Sequence, residues 1–423
     1  MVKQFLAASC IIVTLLLPAA AAALDGRVTD AQSGLPIADA LVTSGQNVVR
    51  TDARGLFRIN AFAPLVAVRA PGYGRAAQPI GPGAMQPVAI SLAPILPKAL
   101  YLTFYGIGDK TLRGAAIDLI EHTEANALVI DVKGDRGMIP YKSAVARAGE
   151  VGAQRVTTVR DMRGMVEFLH QKHIYLVARV VVFKDDLLAT AHPELAVRKK
   201  DGTVWHDREQ LAWVDPFRTE VWDYNLDIAA EAAALGFDEI QFDYIRFPDT
   251  AEPVFSREST EQNRVDAISG FLAAARQRLA PFNVFVSADI FGYVCWNLND
   301  TRIGQRLEAL TPYLDYLSPM LYPSGFQYGI PGYRNPVAHP QEVVSRSLKR
   351  AVQRSGISPL RFRPWLQAFR DYAFDRRQFT GKQVRQQIDA AESFGSGGWM
   401  LWNPRNDYSS AGLRLKAPSV ARQ

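Results

Sequence analysis

Residues Gly236–Pro248 read GFDEIQFDYIRFP. A strand turns successive side chains to opposite faces. Ile240, Phe242 and Tyr244 therefore share an apolar face, and Glu239, Gln241 and Asp243 share a polar one. Three such polar groups are costly to bury without partners. A strand written this way turns its apolar face to covering helices and its polar face to an interior network that leads to a site. A helical run, Thr219–Leu235, precedes it, and Gly236 stops that helix.

The same alternation of helix and strand continues in both directions. Strand-like runs are expected at Leu100–Gly106, Ala127–Lys133, Tyr175–Phe183, Glu239–Phe247, Val284–Phe291, Tyr316–Tyr322, Phe362–Phe369 and Trp399–Asn403. Helical runs lie between them at Thr111–Asn126, Asp161–His173, Thr219–Leu235, Glu261–Leu279, Thr301–Leu310, Gln341–Ser355 and Val384–Phe394. Eight β-then-α repeats predict a closed (β/α)₈ TIM barrel over 98–410, with a short tail, 411–423. A doubly wound open sheet would want a Gly-rich phosphate loop after its first strand, and none is written there.

Upstream, short alternating runs separated by turn residues predict a small β-sandwich over 24–97. The first 23 residues read as a signal peptide: Lys3, an apolar run from Phe5 to Leu17, then Pro18 and small residues up to Ala23. Cys10 lies inside the apolar run, unlike a lipoprotein cysteine, and cleavage would leave Cys295 alone, with no internal disulfide. The protein is then periplasmic or secreted, with no membrane span after cleavage.

A length of 423 residues suits two domains. With 48% hydrophobic and 21% charged residues the chain is globular in character. Its net charge of +6 is spread without a basic block, which speaks against nucleic acid as a partner. The six histidines fall in expected helices or loops, so no metal and no cofactor are expected. No Gly-x-Ser-x-Gly elbow is present for a serine hydrolase.

Barrel sites form at the C-terminal strand ends. Asp243 is the outermost polar residue of its strand. In VFVSADIFGY, Ser287 and Asp289 share the corresponding face one strand over. Two carboxylates on neighbouring strand ends suit glycosidic cleavage, with Asp243 as nucleophile or base and Asp289 as acid and base. Mutual repulsion and burial would raise one of their pKa values. Asp131 and Lys133 share a face on the second strand, and Arg179 points inward on the third, able to pair with Asp243, Glu239 or Asp131. Lys184 and Asp185 fit a surface loop. The expected substrate-binding set is Glu239, Gln241, Asp131, Lys133, Arg179, Asp185, Trp205, Arg246, Tyr322, Gln367, Trp399, Trp402 and Asn403. Aromatic faces take sugar rings by stacking, and amides bind hydroxyls.

The motifs NALVIDVKGDRG, YLVARVVVFKDDLLA, WVDPF, EAAALGFDEIQFDYIRFP, SADIFGY and LSPMLYPS resemble a family of glycosyl-hydrolase-like TIM barrels long known only as a domain of unknown function. The resemblance runs from about Tyr101 to Asn406. It implies a secreted carbohydrate-active enzyme with Asp243 as its leading carboxylate. The stretch GRVTDAQSGLPIADALVTSGQNVVRTDARGLFRI resembles the carboxypeptidase regulatory-like domain, a transthyretin-like sandwich, which implies an accessory module. Gln241 stands where amylase-like barrels carry an arginine, so amylase specificity does not transfer. Glu239, Gln241 and Asp243 are also similar to the graded acidic strand of chitinase-like barrels, which would imply an amino-sugar polymer. The expected partner is a polysaccharide or oligosaccharide. The competing expectation is a non-catalytic polysaccharide-binding envelope protein that has kept the cleft.

Overall fold

The computed structural model describes residues 23–60, 63–81 and 86–417. The expected signal segment up to residue 22, Cys10 included, and the end of the expected tail, 418–423, lie outside the described residues.

The N-terminal part holds β1 (Ala23–Asp30), β2 (Leu41–Ser44), β3 (Asn47–Arg50), β4 (Leu56–Asn60), β5 (Leu65–Arg69), β6 (Ala76–Pro79) and β7 (Val88–Leu92). They form two sheets, ordered β4-β1-β7 and β3-β2-β5-β6. The alternation of β1 decides its placement. Leu24 and Val28 are buried between the sheets with Ile59, Val66, Val68 and Ile90, while Asp25 and Arg27 face water. β6 was not expected, because Ala-Ala-Gln-Pro has no apolar alternation. Its pairing with β5, Val68 opposite Ala76, sets it in the sheet.

The remaining strands are β8 (Lys98–Leu102), β9 (Ala127–Lys133), β10 (Tyr175–Val181), β11 (Glu239–Asp243), β12 (Phe285–Phe291), β13 (Tyr316–Met320), β14 (Trp365–Gln367) and β15 (Trp399–Trp402). They are parallel and close in sequence order, with β15 pairing back onto β8. The helix Glu261–Leu279 shows why helices pack outside. Thr260 Oγ1 accepts from the Asn263 N–H and caps it. Val265, Ile268, Phe271, Leu272 and Ala275 then fall on one buried stripe. Phe271 meets Phe242, on the outward face of β11, at 5.1 Å between ring centroids. Phe271→Ala would cost about 3–5 kcal/mol through the cavity it leaves.

Several expected elements are shorter than their sequence signals, among them the strand expected at Phe362–Phe369, which is Trp365–Gln367, and two are cut short by left-handed backbone. The fourth barrel strand stops at Asp243 because Tyr244 adopts φ +50, which ends the alternation and turns its ring to the mouth instead of the helices. The helix expected at Thr301–Leu310 exists only as Leu307–Leu310. Thr301 and Arg302 are left-handed (φ +55 and +59), and the Asp300 carboxylate takes the Arg302 and Gly304 N–H groups, which holds a turn instead.

The sandwich sits on the floor of the barrel, at the N-terminal strand ends. Arg69 Nε lies 3.1 Å from Asp315 Oδ2, both nearly inaccessible. Arg75 pairs with Asp238 at 2.7 Å, and the Tyr316 hydroxyl accepts from the Gly72 N–H. Asp238 and Asp315 each stand one residue before a barrel strand.

Candidate active site

At the opposite end, loops after the strands surround a cleft of about 810 Å³. Its base is built by period-two alternation on β10, β11 and β12, which delivers Arg179, Asp243 and Asp289 to neighbouring inward positions. Arg179 is the hub. Its Nη1 donates to Asp131 Oδ1 at 2.6 Å, and its Nε to Asp243 Oδ2 at 3.0 Å, with Nη2 on the same Asp243 oxygen. Asp289 Oδ2 stands 3.8 Å from that Nε. The guanidinium lies over the rings of Trp402 and Tyr101, at 5.0 and 5.5 Å, and those two rings stack at 4.0 Å.

One guanidinium thus serves three buried carboxylates. Burial opposes its charge, but Asp131 and Asp243 more than offset that, and the Arg179 pKa is raised. Three carboxylates on one cation leave a surplus of negative charge, which a bound proton relieves. Asp289 takes the largest consequence. Burial and the neighbouring Asp243 hold its carboxyl well above the usual carboxylate range, against the pull of Arg179. Trp365 Nε1 donates to Asp289 Oδ1 at 2.6 Å, while Oδ2 has no hydrogen-bond partner. Asp243 is differently placed. Arg179 donates to one of its oxygens, and the Tyr244 backbone N–H to the other at 2.5 Å. Its partners are all donors, so it acts there only as an acceptor. Asp131 accepts from the Tyr101 hydroxyl at 2.6 Å, and burial moves its pKa up.

The two carboxylate oxygens share Nε as a neighbour, at 3.0 and 3.8 Å, so they lie no farther apart than those distances end to end.

Of the expected residues, Asp243, Asp289, Arg179, Arg246, Tyr322, Trp402 and Asn403 line the cleft. Asp131 lies just behind Arg179. The others do not reach it. Glu239 is at the floor, its Oε2 2.5 Å from Arg363 Nη1, so Arg363 and not Arg179 is its partner. Gln241 is buried midway and donates to Ser318 Oγ at 3.1 Å. Lys133 does not share the inward face of Asp131. The pairing of β9 with β10 shifts at Arg179/Val180, and Lys133 Nζ meets Asp185 at 2.7 Å, over the Tyr224 ring. Asp185 caps the helix Asp186–Ala191 through the Leu188 N–H, and Lys184 reaches Glu209 at 2.7 Å. Both are buried, contrary to a surface loop. Trp205 packs edge-on against Trp213 inside the loop region after β10. Trp399 points into the helix layer, with Lys98 over its ring. Gln367 is buried under the rim, where it clamps Ser324 from both ends of its amide.

A family model described as "Putative glycosyl hydrolase domain" matches residues 99–408. The chain belongs to this glycosyl hydrolase family. Among solved structures, a hypothetical protein from Ruminiclostridium thermocellum is 39% identical and covers 45% of this chain and 96% of its own, with a TM-score of 0.41. The PgaB (BpsB) glycoside hydrolase domain from Bordetella bronchiseptica is 14% identical over 74% of this chain and 95% of its own, with a TM-score of 0.54, a likeness of fold. No curated protein matches.

The glycosyl hydrolase cleft also uses residues that its sequence did not announce. Trp365, the partner of Asp289, shares period-two spacing with Arg363 and Gln367, and that spacing could have found it. Phe369, Tyr372 and Arg370 line the cleft as well, and Tyr244, whose periodicity pointed to the outward face of its strand, is turned to the mouth by its left-handed backbone. Among the described residues no group of three His, Cys, Asp or Glu side chains is placed to hold a metal ion, and no helix is long and apolar enough to cross a membrane.

Proposed function

We propose that this glycosidase cleaves a bacterial polysaccharide with Asp289 as general acid and Asp243 as nucleophile or base. One observation carries the reading: a buried Asp289 with a raised pKa keeps one oxygen without a hydrogen-bond partner at the base of the cleft, beside an Asp243 whose partners are all donors. Pairs of carboxyls driven apart by their surroundings divide acid and base work between them. Asp289 gives its proton to the leaving oxygen as the glycosidic bond breaks. Asp243 meets the positive charge at the anomeric carbon, and the placement of the two carboxylates on neighbouring strand ends favours a covalent intermediate and retention of configuration. The aromatic wall of Tyr322, Phe369 and Tyr372 offers ring faces for sugars.

Export through residues 1–23, and a division into modules near residue 97, belong to the same reading. The test is product release from a panel of bacterial polysaccharides, amino-sugar polymers and α-glucans included, read by mass spectrometry. Oligosaccharides made by the wild type and lost with Asp243→Asn support it. Binding of a polymer without product from either protein would make the chain a polysaccharide-binding protein and the inward carboxylates structural.

A further inference from the structure

We infer that the substrate is an acidic glycan, whose carboxylate or other oxyanion substituents are held by the arginines at the rim of the cleft. The inference rests on the cleft being the glycan site. At the base of the cleft Arg179 is shared by Asp131, Asp243 and Asp289, and at its edge the exposed Glu209 is paired with Lys184 at 2.7 Å. The rim differs. Arg246, Arg370 and Arg405 line the cleft and form no ion pair among the described residues, against one unpaired acid, Asp407.

Two of these arginines are also oriented. The Arg246 guanidinium lies over the Trp213 and Tyr244 rings, at 4.9 and 5.0 Å, with Nη1 donating to the Phe247 carbonyl. Arg370 Nε donates to the Arg376 carbonyl at 2.7 Å, which fixes the plane of its fork and leaves both terminal amino groups free. A planar fork with free N–H groups matches carboxylate geometry bidentately. A neutral glycan offers such a rim only hydroxyls, each a poorer acceptor than an ionised oxygen.

The test is affinity electrophoresis of the full chain carrying Asp243→Asn, so that binding is read without turnover. The probes are a polyuronate, the same polymer with its carboxylates reduced to alcohols, and a sulfated neutral glucan. Retention by the polyuronate should weaken about tenfold or more on carboxyl reduction, weaken again with added salt, and fall in Arg370→Ala/Arg405→Ala. Retention by the sulfated glucan as well would assign any oxyanion; its absence would assign the carboxylate. Arg27→Ala/Arg58→Ala removes equal charge from the distant sandwich and should keep the retention. Equal binding of the acidic and reduced polymers, no binding of any, or equal loss in both double variants would overturn the inference. A mistaken role for Asp243 or Asp289 would leave these readings unchanged, and a neutral substrate would leave the carboxylate assignments standing.

Discussion

The barrel buries carboxylates at both ends, and the two ends are built differently. At the floor, Glu239 has its own cation, Arg363, whose guanidinium lies 3.8 Å over the Tyr316 ring, and the Tyr175 hydroxyl donates to the same carboxylate. At the mouth, Arg179 is shared by Asp131, Asp243 and Asp289. A matched pair sets one cation against one acid, with both charges out of water. A threefold claim on one cation is poised. It pushes one carboxyl, Asp289, toward its neutral form, whereas a buried oxygen without a hydrogen-bond partner occurs at both ends, as Asp289 Oδ2 and as Glu239 Oε1. Stoichiometry, more than the presence of buried acids, separates the end proposed to react from the other.

The contrast is broken most severely at Asp243. Asp243→Asn should lower kcat/KM by about 10⁴-fold or more, in line with removal of a catalytic nucleophile, while the circular dichroism spectrum and melting temperature stay close to wild type. At the floor the effect should be on stability instead. Glu239→Gln leaves the Arg363 charge buried and uncompensated, a loss of about 3–5 kcal/mol, seen as a lower urea midpoint. Turnover per folded molecule should hold; a loss of turnover without a loss of stability would place Glu239 in the chemistry.

Asp289→Asn should cost about 10²–10⁴-fold on substrates with poor leaving groups, the usual worth of general acid catalysis, and much less on activated aryl glycosides. Equal loss on both would end its assignment as acid. Its pH behaviour follows from the sign of its shift. The native Asp289 keeps its proton above the pH at which the unfolded chain releases it. Its contribution to stability is therefore complete below the ordinary carboxylate range and is lost as pH rises through the raised value. The rate should fall across the same upper limit, and Asp289→Asn should flatten both alkaline limbs. The smallest effect belongs to the exposed Arg58–Asp25 pair at 3.4 Å. Arg58→Ala should leave the melting temperature and activity unchanged, because water and salt screen such a pair.

What the sequence revealed and what it concealed follow from the range of the forces involved. Asp243, Asp289 and Arg179 were legible because period-two alternation is local and held through β10, β11 and β12. Lys133 was misplaced because a shift between two strands changes its face, and the shift depends on a partner far away in sequence. Trp399 and Trp402 look alike in Trp-Met-Leu-Trp, yet three positions apart on a strand they face opposite layers. Tyr244 was read as a strand residue, and only its left-handed backbone brings it to the mouth. Beyond Arg246, Tyr322 and Asn403 the rim was not read, because its other residues sit on irregular segments whose course is set by contacts such as Asp371 accepting N–H groups from Ala373, Phe374, Asp375 and Arg376.

The seat of the sandwich on the barrel floor carries a consequence for geometry. β7 ends at Leu92 and β8 begins at Lys98, and Arg69, Arg75 and Gly72 fasten the sandwich to groups just ahead of the barrel strands. A connection this brief and this pinned gives no room to swivel. The sandwich is a rigid handle on the face opposite the cleft, so whatever grips the handle also aims the opening away from the grip.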